Sequence, residues 1–183
     1  MGQATLSEKL AAHISDFQLR LISPSVREPA KLHVLDSLGV LLAGTRLESG
    51  RRSYNLAVSL TGPTGEITLP GTSSRVSFLD GVLATAAAAH CGEMDDIHSG
   101  AGTCVGGMVI PALLVLAERY GGSGARFLES TIAGYETTVR LGHAIRAPRL
   151  FTRGWWPSTL CGAMGVAAAG GRFLGWADDR IAN

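Results

Sequence analysis

The 183-residue chain is poor in charge, lysine, cysteine and aromatic side chains. Charged residues make up 17% and aromatics 6%. Sixteen basic and 15 acidic side chains nearly cancel to a formal charge of +1, so the strong basic excess that marks nucleic-acid binders is missing. Only Lys9 and Lys31 are lysines. The other basic residues are arginines, the side chain suited to bidentate carboxylate or phosphate contacts. The three cysteines, Cys91, Cys104 and Cys161, are odd in number and widely spaced, which argues against a disulfide framework. No Cys-x-x-Cys occurs, so a structural zinc site is not expected. No apolar signal core opens the chain, and Leu6 stands where N-myristoylation would need Ser or Thr. The longest charge-free run of small apolar residues, Ser158 to Gly171, is too short and too glycine-rich to span a bilayer. These absences predict a soluble, cytoplasmic protein with no nucleic-acid partner, no membrane and no cofactor.

What is present is hydrophobic and small. Hydrophobic residues reach 46% and glycine 24 residues, roughly twice average glycine usage. No Gly-every-third pattern accompanies it. Glycines stand beside alanines, as in GAMGVAAAGG, which predicts helices packed closely through small side chains. Thr5-x-x-Glu8 reads as a capping box, followed by Leu6, Leu10, Ile14, Phe17 and Leu21 at helical spacing. SPSVREP restarts the chain, with Pro24 and Pro29 tolerable only near a helix start. A second helix runs to about residue 43 and stops at Gly44, and a third covers roughly 50–60, ended by TGPTG. EITLP is the only strand candidate. Ser73 or Ser74 caps a fourth helix through about Cys91. Residues 92–107 form a polar, glycine-rich loop, and helices follow at about 108–120, 124–145 and 158–174. Gly175 closes the last of these. WADDRIAN then begins another, with Asp178 as its cap and Ile181 starting an apolar face. The sequence predicts one all-α helical array over residues 1–183 rather than βαβ winding, with a final helix too short to be stable alone. The chain therefore reads as a partial domain.

The densest group of reactive residues is His90, Glu93, Asp95, Asp96, His98 and Cys104, at a helix end and in the loop after it. Three carboxylates in four positions repel one another, and a raised carboxyl pKa suits general acid–base work. A solvated acidic loop that caps helices is the alternative. A metal reading through His90, Glu93 and His98 matches no strong ligand signature, and no metal is expected. Gly100, Gly102, Gly106 and Gly107 precede a helix, yet no Walker lysine or Gly-x-Gly-x-x-Gly supports a nucleotide site. No Asp or Glu occurs from Thr137 to Ala177, where Arg140, Arg146, Arg149, Arg153 and Arg172 lie. A basic loop facing an acidic one would bind an anionic substrate beside a general base; an exposed surface loop or a subunit contact is the plainer alternative. His33 and His143 read as satisfied helix histidines, and Cys91 and Cys161 as core.

At AKLHVLDSLGVLLAG (30–44), DGVLATAAAAHCGEMDDIH (80–98), VIPALLVLAE (109–118) and GWADDRIAN (175–183) the chain resembles the MmgE/PrpD family. That family includes 2-methylcitrate dehydratase, cis-aconitate decarboxylase and iminodisuccinate epimerase. The resemblance covers the first part of the family's helical domain. It implies a metal-independent lyase or isomerase that acts on a small di- or tricarboxylate by proton transfer next to a carboxylate, as a homodimer or higher homo-oligomer. The family's Asp-x-Asp-Asp-Thr reads Glu93-Met94-Asp95-Asp96-Ile97 here. Two expected histidines are Cys104 and Trp156. Cys can still move a proton if its pKa is lowered, whereas Trp offers only a donor N–H. The acidic and arginine loops together with the resemblance give Glu93, Asp95, Asp96, His98 and Cys104 as expected catalytic residues, with Glu93 or Asp96 as base and Cys104 as a second proton carrier, and Arg149, Arg153 and Trp156 as expected substrate contacts, Arg149 or Arg153 holding the anion and Trp156 shaping the pocket. The departures favour a proton-shuttling epimerase or another substrate. The alternative is a truncated, non-catalytic relative that only folds, dimerises or binds a complementing chain.

Overall fold

The computed structural model describes residues 3–61 and 65–183. The start of the acylation pattern, residues 1–2, and the centre of the TGPTG stop, residues 62–64, lie outside the described residues. Among the described residues, eight α-helices and four two-residue strands follow in the order α1 (Leu6–Ser15), α2 (Pro24–Gly44), α3 (Glu48–Thr61), β1 (Ile67–Thr68), β2 (Arg75–Val76), α4 (Phe78–His90), β3 (Ile97–His98), β4 (Thr103–Cys104), α5 (Gly106–Tyr120), α6 (Gly124–Ala144), α7 (Pro157–Leu174) and α8 (Asp178–Ala182). A 3-10 turn at Ala147–Arg153 joins α6 to α7. The all-α expectation holds, since among the described residues the strands form only two antiparallel pairs, Ile67 opposite Val76 and Ile97 opposite Cys104.

Local chemistry sets the helix starts. The capping box at α1 is complete: Thr5 Oγ1 accepts from the Glu8 amide at 3.2 Å and Glu8 Oε2 accepts from the Thr5 amide at 2.6 Å. α1 nevertheless stops at Ser15 rather than following its apolar spacing to Leu21. The Leu19 amide donates to Glu129 on α6 at 2.7 Å, and Arg172 on α7 donates to the Phe17 carbonyl at 2.5 Å. These tertiary bonds replace the helical ones. α2 starts at Pro24, but Pro29 lies inside it, deeper than expected. α4 is capped by Ser77, not Ser73 or Ser74. The segment before it pairs with β1, because the Leu69 amide finds the Ser74 carbonyl at 2.9 Å. α8 is capped by Ala177, with Asp178 as its first residue.

Among the described residues α6 and α7 form the most extensive helix pair, with α3–α4 and α4–α5 next. Small side chains make the first contact possible. A methyl at Gly165 would fall 1.9 Å from Thr138 Oγ1 and 2.9 Å from the Gly134 carbonyl. The clustering of glycine and alanine thus reflects close helix crossing. One core cluster gathers Tyr54, Ile67, Leu69, Val76 and Val115. A second gathers Val105, Val109, Leu113, Ala169 and Phe173. The second core fixes the start of α5 and with it the loop from α4. No helix among the described residues is long and apolar enough to cross a membrane.

Candidate active site

The loop between α4 and α5 was expected to be irregular, but β3 and β4 fold its second half into a short hairpin. Its tip packs beneath the 3-10 turn: a methyl at Gly102 would lie 3.2 Å from Pro148. This arrangement distributes the acidic residues instead of clustering them. Glu93 is exposed and takes a left-handed backbone, φ 48°. Asp95 turns inward, its side chain 2% exposed. Asp96 turns to the other side of the α5 start. The expected mutual repulsion of one acidic cluster gives way to three separate environments.

Asp95 faces His90, the last residue of α4. His90 Nδ1 lies 2.9 Å and 3.0 Å from the two Asp95 carboxylate oxygens. The Asp95 carboxylate also rests on the first turn of α5, where a methyl at Gly107 would be 2.4 Å from Oδ2. Only glycine leaves room there. Cys104, at the end of β4, completes the group: the ligating atoms of His90, Asp95 and Cys104 all lie within 4.8 Å of one another. The Cys104 amide donates to Ser158 Oγ on α7 at 3.1 Å. A cavity of about 280 Å³ opens on this group, lined by His90, Asp95, Cys104, Met108, Trp156 and Ser158 among others. Burial, reinforced by the nearby Asp95 and Asp96 charges, pushes the Cys104 thiol above its ordinary 9.0. The proton movement foreseen for Cys104 required a lowered pKa. The structure raises it, so Cys104 holds its proton at neutral pH.

Asp96 is held on three sides. Its Oδ1 accepts from the Gly106 amide at 2.7 Å, and its Oδ2 accepts from Tyr135 Oη at 2.8 Å and pairs with His33 Nδ1 at 2.7 Å. Burial, then the Asp96 charge, raises the Tyr135 phenol well above its ordinary value. A methyl at Gly106 would meet Ser37, Asp96 and Tyr135 side chains within 2.8 Å. Asp96 therefore ties the loop to α2, α5 and α6. The carboxylate also sits favourably at the positive end of the α5 dipole.

The other expected site residues are placed apart. His98 is exposed, its Nδ1 accepting from the Ala101 amide at 3.1 Å, and its ring meets His143 edge-on at 5.2 Å. It lines a second cavity of about 350 Å³ with His33 and Tyr135. Arg149 and Arg153 are exposed on the 3-10 turn, have no ion-pair partner among the described residues, and do not line the Cys104 cavity. Trp156 does line it, 48% exposed and braced edge-on by Phe151 at 5.3 Å. Sequence reasoning took His33 for a satisfied helix histidine and did not single out Tyr135. The available signal was His33 with Ser37 one turn later on α2, two polar groups on one face of an apolar helix.

The MmgE/PrpD N-terminal domain model matches residues 8–183. Among curated relatives, the cis-aconitate decarboxylase-like protein oryM of Aspergillus oryzae is 25% identical over 97% of this chain and 38% of its own length. The cis-aconitate decarboxylase of Aspergillus terreus is 29% identical over 87% of this chain and 34% of its own length. That of Homo sapiens is 29% identical over 93% of this chain and 36% of its own length. The chain thus spans between 34% and 38% of the length of these relatives.

Proposed function

We propose that this chain, which belongs to the MmgE/PrpD family, carries the proton-transfer site of a lyase or isomerase acting on a small di- or tricarboxylate. The observation that carries the reading is the meeting of His90, Asp95 and Cys104 in the cavity beside Trp156. The names of the relatives support the substrate class.

The roles follow from geometry. Asp95 binds Nδ1 of His90, which leaves Nε2 as the free nitrogen. A buried carboxylate on one imidazole nitrogen stabilises the imidazolium formed when the other takes a proton. His90 is therefore the base, accepting a proton from the carbon next to a substrate carboxylate. Cys104, kept protonated by burial and the Asp95 charge, is the acid that returns a proton to carbon. Two proton carriers on one cavity fit replacement of a carbon substituent or inversion at that carbon. Trp156 forms a wall and Ser158 Oγ holds the Cys104 backbone. Glu93, Asp96 and His98 act around this pair, with Asp96 as the loop anchor. Arg149 and Arg153, exposed on the adjacent turn, draw the anion toward the cavity by long-range attraction.

The protein also assembles as a homodimer or higher homo-oligomer in this reading. Leu56, Leu60 and Leu83 are 54%, 64% and 65% exposed along one α3–α4 groove, an apolar surface of the kind that partners cover. Sedimentation checks it, and a monodisperse monomer would contradict it. The functional test uses cis-aconitate as the probe, with product formation and solvent deuterium uptake read by NMR. Native protein should show both, and His90→Gln and Cys104→Ala should lose them while keeping their helical circular dichroism. Unchanged turnover in both variants would sink the assignment.

A further inference from the structure

We propose that His90, Asp95 and Cys104 also form a site for a thiophilic divalent cation, Zn²⁺ in the first instance, and that its binding blocks the proton relay. The binding part stands on the geometry alone, whereas the blocking part rests on the function proposed above.

The donor set supplies the first argument. One sulfur, one imidazole nitrogen and one carboxylate oxygen lie within 4.8 Å of one another. Donors around a tetrahedral zinc stand about 3.3–3.7 Å apart, so side-chain rotations on a scale of about an ångström close the sphere. The His90–Asp95 separation, 2.9 Å, is shorter than that spacing, so this pair parts by about half an ångström to admit the ion. Thiolate with imidazole selects zinc-like ions over Mg²⁺ or Ca²⁺, which prefer all-oxygen shells. The surroundings supply the second argument. Asp95 is buried, its side chain 2% exposed. The lining of the cavity contains no Lys or Arg, so no fixed cation of the described residues competes for the carboxylate there. The open side, toward Trp156, leaves a fourth position for water or a substrate carboxylate, as in three-ligand zinc sites.

Binding has a definite proton balance. The Cys104 S–H bond breaks and a sulfur–zinc bond forms, with the thiol proton leaving to solvent. His90 binds as a neutral imidazole, through Nδ1 with its proton on Nε2 or through Nε2 with its proton on Nδ1. The acid has then lost its proton and the base its lone pair or its carboxylate partner. Either way the relay is disabled, and affinity rises with pH because protons compete for the same atoms.

The test titrates metal-free protein with Co²⁺ alone and reads the near-ultraviolet thiolate-to-cobalt charge-transfer band. We expect one equivalent to bind, Zn²⁺ to displace it, Cys104→Ser to abolish the band, and Asp95→Asn to weaken binding more than about tenfold. Cys91→Ser should keep the band, because that sulfur is committed to the Gly44 and Ala88 carbonyls. No band in the native protein, or a band that survives Cys104→Ser, would overturn the site. Turnover of cis-aconitate by metal-free protein should fall to background at one equivalent of Zn²⁺ and return with a chelator. A band with unimpaired turnover would overturn the blocking step. A band with no turnover in the metal-free protein would overturn the proposed function and leave the cation site standing.

Discussion

Asp95→Asn is the sharpest probe of the relay, because it removes a charge while keeping size and one acceptor. In the native protein both carboxylate oxygens lie within 3.0 Å of His90 Nδ1. Charge centres about 4 Å apart interact by about 4 kcal/mol at the effective dielectric near a protein surface. The His90 side chain is 43% exposed, so water screens much of this, and about 1–3 kcal/mol of transition-state stabilisation is at stake. A loss of that size lowers kcat/KM about 5- to 150-fold. The loss should fall mainly on kcat, since the imidazolium forms only as the substrate proton moves. The assay is steady-state turnover of cis-aconitate with parallel deuterium uptake, alongside a thermal melt. Asp96→Asn is the comparison variant, since it acts on turnover only indirectly, by loosening the loop through its Tyr135 and His33 contacts outside the cavity. It should lower the melting temperature and leave kcat/KM nearer native. If Asp95→Asn kept kcat/KM within about threefold of native, or if Asp96→Asn were the more damaging to turnover at equal fold content, His90–Asp95 would not be the base.

Three further outcomes follow from the same structure. Because the Cys104 thiol lies above its ordinary 9.0, the alkaline limb of the native kcat/KM profile should lie above that value, and a limb below it would contradict Cys104 as the acid. Burial raises the Tyr54 phenol from 10.0 to about 12; the unfolded chain loses that proton first as pH rises, so stability should fall by about 1–2 kcal/mol across that window, and Tyr54→Phe should flatten the slope in alkaline melts. Gly165→Ala places a methyl 1.9 Å from Thr138 Oγ1, whose hydroxyl is committed to the Gly134 carbonyl at 2.8 Å. Overpacking of about 1–3 kcal/mol exceeds the helix-propensity gain of about 1 kcal/mol, so the melting temperature should drop by several degrees, and an unchanged value would contradict the tight α6–α7 crossing.

The parts of the fold that were legible in the sequence rest on local chemistry. Thr5 and Glu8 cap α1 through bonds three residues apart, and Gly175 ends α7 in a left-handed conformation, φ 70°. The glycine and alanine pattern pointed to close helix crossings for the same reason, since a missing side chain is written in the sequence itself. What escaped was set by distant partners. Nothing near Leu21 shows that Glu129 and Arg172 terminate α1 first. Two-residue strands such as Ile97–His98 and Thr103–Cys104 are too short to display a period of two. His33 looked like an ordinary helix histidine because Asp96, its partner, arrives from a loop far along the chain.

The acidic run illustrates how spacing alone misjudges a site. Glu93, Asp95 and Asp96 invite the idea of carboxylates crowded in one place, where repulsion would tune one of them. The backbone separates them instead. Glu93 takes a left-handed turn straight after α4, and the two following aspartates fall on opposite sides of the α5 start. Asp96 then spends its oxygens on Gly106, Tyr135 and His33, which leaves it an anchor rather than a free base. That anchoring is what allows Asp95 to remain buried against His90: a loop tied to α2, α5 and α6 on one side of the α5 start resists withdrawing the carboxylate on the other. The pair is thus a division of labour between adjacent residues, one holding the loop and one holding the base, and the tuning that repulsion was expected to supply falls instead on the Cys104 thiol across the cavity.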